Sequence, residues 1–153
     1  MGTRMLPERN RPTRTISISQ EAFIDSNLTR FNLTDATTVA MPLTLGTHLS
    51  ADCPTSKEGI EEMGNWPYWD VVGALAWLAL GTRLDTAFAT GLLVRFGHNP
   101  GRVHWDVAKR VLRYLKGTNQ LRLALGGKSH RSSSSQTLTG EVTVTTDAQS
   151  ERI

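Results

Sequence analysis

Residues 66–117 read WPYWDVVGALAWLALGTRLDTAFATGLLVRFGHNPGRVHWDVAKRVLRYLKG. Glycines and an Asn-Pro pair cut this stretch into three helical segments. Asn65 can cap the first, since its side-chain oxygen can accept an orphan amide and Pro67 is tolerated in the first turn; Gly81 closes it. Thr82 and Asp85 have the spacing of a capping box and predict a second helix through Ala87, Phe88, Leu92 and Phe96. Gly97 and Asn99-Pro100 end that helix. Asn99 then caps a third, with Pro100 in the favoured first position and a stop at Gly117. Three helices with two short connections predict a compact helical unit.

The third helix has two explicit faces. At a hundred degrees per residue, Val103, Val107, Val111 and Leu115 fall on one side, and Arg102, Lys109, Arg113 and Lys116 nearly opposite. His104 lies among the apolar positions and reads as a core histidine; Trp105 and Tyr114 read as packing residues.

Working outward, Thr15–Ser19 (TISIS) alternates apolar and polar residues as a half-buried strand does. Ser19 then opens a helix in which Phe23, Ile24, Leu28 and Phe31 recur at helical spacing. Residues 32–65 carry Thr, Pro, Gly and acids without a sustained period, which predicts a poorly ordered loop. After the helical unit, Leu121–Leu125 (LRLAL) alternates like a strand, residues 126–136 (GGKSHRSSSSQ) read as a linker, and Leu138–Thr146 (LTGEVTVTT) as another strand. The expected class is α+β, mainly helical: a three-helix unit at about 66–117, an N-terminal strand and helix, and short C-terminal strands.

A chain of 153 residues has room for one modest core. A lone Cys53 excludes a disulfide framework and any multi-cysteine metal site. The Arg-rich start, MGTRMLPERNRPTRT, has no apolar run, so it reads as neither signal peptide nor anchor; Val71–Leu80 is too short to span a bilayer. These features predict a cytoplasmic or nuclear chain that is not secreted and engages no membrane. Between Glu21 and Glu62 stand seven acids and two bases, whereas Arg83–Arg131 holds ten Lys or Arg against Asp85 and Asp106. A basic half of this kind points to a polyanionic partner, with a solvated basic surface as the alternative.

The block from Trp66 to Thr118 resembles a signature region of copia-type LTR retrotransposon Pol polyproteins. There a Tyr-containing turn leads to Val-Gly-Ala-Leu, Thr-Arg-x-Asp, Arg-Phe, Asn-Pro-Gly, His-Trp and Lys-Arg-Val-Leu-Arg-Tyr-Leu-Lys-Gly-Thr. Upstream, residues 14–33 (RTISISQEAFIDSNLTRFNL) are similar to that family's segment leaving the polymerase palm. The resemblance implies a division of the chain: palm-exit strand and helix at 1–31, loop at 32–65, reverse transcriptase thumb at 66–117, connection strand and linker at 118–136, and a truncated start of RNase H at 137–153.

The resemblance also implies a partner, an RNA/DNA or DNA duplex. In related polymerases a thumb helix follows the minor groove with a small residue for close approach and an aromatic one turn later. Gly73 and Trp77 match that pattern; glycine admits a sugar-phosphate wall, and an indole offers a flat face to sugars. The alternative is that Gly73 permits tight helix packing and Trp77 is core. Arg102, Lys109, Arg113 and Lys116 would neutralise phosphates and make binding salt-dependent; otherwise they are a solvated face.

Catalysis is not expected of this chain alone. Nucleotidyl transfer needs paired carboxylates holding two divalent ions, and the family's Tyr-x-Asp-Asp is absent. The parent enzyme would use Mg²⁺; this chain is expected to hold no cofactor, metal or small-molecule substrate. Asp147 matches the first RNase H carboxylate as a vestige, but Gln149 stands where an acid is expected. Leu84 and Thr86 replace Pro and Ile of the family's Thr-Arg-Pro-Asp-Ile, and Trp69 stands where a basic residue is usual after the Tyr. Three readings follow: a retroelement relic with no role of its own, a non-catalytic duplex-binding module derived from the thumb, or a thumb supplied in trans to another polymerase. An apolar face left where the missing palm would dock predicts poor solubility.

Overall fold

The computed structural model describes residues 5–44, 49 and 64–126 and the backbone of 143–145. Over these residues the fold is α+β and mainly helical. Its elements are β1 (Leu6–Asn10), β2 (Thr15–Ser19), α1 (Glu21–Arg30), α2 (Tyr68–Gly81), a 3₁₀ turn (Leu84–Thr86), α3 (Ala87–Arg95), α4 (Arg102–Gly117), β3 (Arg122–Gly126) and β4 (Thr143–Thr145).

The strands form one antiparallel sheet in the order β1-β2-β3-β4. The sequence reading omits β1, whose residues LPERN show no alternation. A turn at 11–14 makes it a strand by folding it back on β2, with Pro7 on an edge strand, where a missing ladder donor costs least. Thr15–Ser19 is the predicted strand. The strand expected at Leu121–Leu125 lies one residue later, because Leu121 donates its amide to the Thr118 carbonyl in the turn leaving α4. Gly126 takes φ +88 beside the Arg14 carbonyl, a conformation that a side chain would strain. Of the expected strand at 138–146, residues 143–145 pair with β3; the rest, like the linker at 127–136, lies outside the described residues.

The core sits inside the helices. Ile24 and Leu28 of α1, Val71, Val72, Leu75 and Leu78 of α2, Leu93 of α3 and Val107, Val111, Leu112 and Leu115 of α4 form one cluster. Burying each such side chain contributes about 1.5–3 kcal/mol. The apolar face expected of α4 is the observed one, with Val103 half-buried at its margin.

Every predicted cap is replaced by another device. Asn65 does not cap α2; Pro67 holds that position and the helix begins at Tyr68. The Thr82–Asp85 capping box does not form, because Thr82 donates its hydroxyl to Gln20 Oε1 at 2.7 Å and Asp85 turns to Arg83. The chain makes a 3₁₀ turn there, and α3 starts only at Ala87. Asn99 and Pro100 precede the real N-cap of α4, Gly101, whose amide donates to Nδ1 of His104 at 2.9 Å. His104 is fully buried, and its Nε2 lies 2.9 Å from the Leu49 carbonyl. The core histidine inferred from sequence is therefore also the cap of its own helix. Ser19 stands one residue before the N-cap of α1, Gln20, and its Oγ accepts the Glu21 amide at 3.2 Å.

Candidate nucleic-acid interface

Helix α2 is apolar almost all round, so packing decides which side is buried. Trp69, Gly73, Trp77 and Leu80, at spacings of four, four and three, fall on its outer side. Among the described residues a Cβ added at Gly73 would meet nothing within 4 Å, so none of them needs a glycine there for close packing. Trp77 is 40% exposed and is not a core residue. Among the described residues neither packing role is seen for this pair. Leu80, Leu84 and Phe88 continue an exposed apolar surface toward α3.

The cations of α4 meet a different environment. The stretch at 33–38 runs along the helix: Arg113 Nε donates to the Thr37 carbonyl at 2.6 Å, and Lys116 Nζ to the Ala36 carbonyl at 2.8 Å. Thr38 packs close to Gly117. Lys109 pairs with Asp106 at 2.8 Å, and Arg102 also has an interaction of its own. A groove of about 640 Å³ remains between this stretch and α4, lined by Lys109, Arg110 and Arg113. The carbonyls are neutral, so the positive charge of Arg113 and Lys116 persists although their donors are partly engaged. Gly73 and Trp77 thus lie on α2 and the four cations on α4, as two separate groups. Asp147 lies outside the described residues.

A polar centre that the sequence reading missed lies just past the end of α2. Arg83 is wholly buried. It donates from Nε and Nη2 to Asp85 at 3.1 and 2.7 Å, and from Nη1 and Nη2 to the carbonyl and hydroxyl of Thr118 at 2.9 and 2.6 Å. Tyr114 donates its hydroxyl to Asp85 at 2.7 Å, and its ring centroid lies 5.5 Å from the guanidinium carbon. Burial alone would raise the Asp85 carboxyl, but hydrogen bonds from Arg83 and Tyr114 outweigh it and hold the pKa below the ordinary 3.8. Burial first, then the bond to Asp85, push the Tyr114 phenol up. The Thr-Arg-x-Asp run was legible as a motif; its partners on α4 and beyond, some thirty positions away, were not.

Among the described residues no group of three or more His, Cys, Asp or Glu gathers. Nor is any described helix long and apolar enough to cross a membrane.

The sequence is 42% identical over 120 residues, 78% of this chain, to the retrovirus-related Pol polyprotein from transposon TNT 1-94 of Nicotiana tabacum. It is 34% identical over 111 residues, 72% of the chain, to the corresponding polyprotein from transposon RE2 of Arabidopsis thaliana. This chain is related to transposon Pol polyproteins. It spans 9% of the tobacco protein and 7% of the Arabidopsis one. The Pol-related chain is also 48% identical over 56 residues, 37% of its length, to secreted RxLR effector protein 161 of Plasmopara viticola, of which it covers 39%. No protein-family profile and no solved structure match the chain.

Proposed function

We propose that this Pol-related chain is a copia-type reverse transcriptase segment without catalysis of its own, whose three-helix unit is a thumb that holds a nucleic-acid duplex. The observation that carries the reading is the outer face of α2. A glycine with open space above it and a half-exposed indole one turn on form a surface for a sugar-phosphate wall. The cations of α4 add non-specific attraction, with Arg113 and Lys116 exchanging loop carbonyls for phosphate oxygens. Such a chain works in the cytoplasm or nucleus, where a duplex is available.

Filter binding of a blunt duplex to the full chain over a salt series tests this. Affinity falls steeply with added salt. It falls further in Trp77→Ala and in the triple replacement of Lys109, Arg113 and Lys116 by Ala. Salt-independent retention, or variants that bind as the parent does, would overturn the assignment and leave a relic without a binding role.

A further inference from the structure

The cleft at the start of α2 belongs to neither group of predicted site residues. It has a volume of about 410 Å³ and lies between Trp66, Trp69 and Asp70 on one side and Gly97, His98 and Asn99 of the α3–α4 connection on the other. Its aromatic walls are held from behind. Trp66 packs on Trp105 with centroids 5.4 Å apart. Trp69 stands edge-on to Tyr68 at 6.4 Å. Tyr68 is itself anchored, its hydroxyl donating to the Leu93 carbonyl at 2.9 Å. The Trp69 ring also reaches over Gly97, where any Cβ would collide with it. Despite these supports Trp69 is 58% exposed. An indole fixed in place and still open to solvent loses little side-chain entropy when a flat ligand stacks on it.

We propose that this cleft binds an unpaired nucleobase of a single-stranded nucleic-acid extension. Three features select that occupant. The walls offer flat aromatic surface, which every base can use whatever its identity. The rim carries the His98 imidazole and the Asp70 carboxylate, the latter already paired with Arg30, so a base edge meets polar groups beside the aromatic walls. Trp69 is also the first member of the Trp69–Gly73–Trp77 row, so the cleft adjoins the proposed duplex face of α2. This assignment rests on the nucleic-acid reading of α2 but adds a separate site, with a preference for junctions over blunt ends.

The test compares the full chain bound to a blunt duplex, to the same duplex with a short single-stranded extension, and to a free oligothymidylate, read by anisotropy and tryptophan fluorescence. The extension strengthens binding about tenfold and quenches fluorescence. Trp69→Ala abolishes that gain, so that the variant binds extended and blunt duplexes alike, Trp69→Phe keeps part of it, and Gly97→Ala, which displaces the ring, reduces it. Circular dichroism confirms that each variant is folded. No gain from the extension in the parent, a gain that survives Trp69→Ala, or quenching by a proline-rich peptide in place of nucleic acid would overturn the proposal. Quenching by the oligothymidylate that depends on Trp69, with no binding of blunt duplex, would sustain the cleft and sink the duplex assignment alone.

Discussion

Arg83, with no solvent exposure, grips Asp85 through two hydrogen bonds and Thr118 through two more, joining the end of α2 to the end of α4. Losing the guanidinium leaves a carboxylate and a carbonyl without their partner. Arg83→Met is therefore expected to cost about 1–3 kcal/mol, since Asp85 is partly exposed and keeps its bond from Tyr114. Arg83→Lys recovers only part of this, because an ammonium cannot reproduce the paired geometry. The midpoint of urea unfolding decides the matter, and a shift within error would refute the role given to Arg83.

Acid should weaken this junction. The folded pKa of Asp85 lies below its ordinary 3.8, so the folded state binds fewer protons than the unfolded one at low pH. The stabilisation is present above about pH 4 and is lost as pH falls through the depressed folded pKa. Unfolding curves between neutral and strongly acidic pH should show a smaller acid-dependent loss in Asp85→Asn than in the parent.

At the alkaline end Tyr68 acts with the opposite sign. Burial pushes its phenol from 10.0 up to about 12, so the folded state keeps a proton that the unfolded state releases. That stability is intact below pH 10 and disappears as pH rises toward 12. Tyr68→Phe should lower stability near neutrality by about 1 kcal/mol, through loss of the bond to Leu93, and flatten the alkaline decline. The raised Tyr114 leaves a residual slope. An equally steep decline in the variant would assign the effect elsewhere.

Glycine to alanine should go in opposite directions at two points on α2. At Gly73, open space lets the helix preference of alanine express itself, for a gain of about 0.5–1 kcal/mol. At Gly81 the new methyl would meet the buried Gln20 side chain at 2.7 Å, so Gly81→Ala should destabilise. Thermal melts compare the two. If Gly73 admits a duplex, Gly73→Ala also weakens duplex binding while raising the melting temperature, a combination that a purely structural glycine does not produce.

Leu80 and Phe88 are 83% and 75% exposed. Replacing both by Lys removes apolar surface from solvent contact without opening the core, so stability should change by less than about 0.5 kcal/mol per site. Sedimentation velocity should show less association in the double variant, and an unchanged distribution would locate the sticky surface elsewhere.

Periodicity and punctuation made the α+β class, the amphipathic α4, β2 and the buried His104 legible, because each rests on residues close in sequence. A shared block of residues likewise identified the Pol relationship before any coordinates. What sequence could not decide was competition between partners. Thr82, Asp85 and Asn99 are good caps in isolation, yet Gln20 and Arg83 claimed the first two, and Gly101 with His104 capped α4 in place of Asn99. Nor could it choose the outer side of an almost uniformly apolar helix. The placement of Gly73 and Trp77 in solvent, and the carbonyls of 36 and 37 on the basic helix, follow from long-range packing. Local energies of about a kilocalorie yield to such packing when burial and charge pairing are worth several.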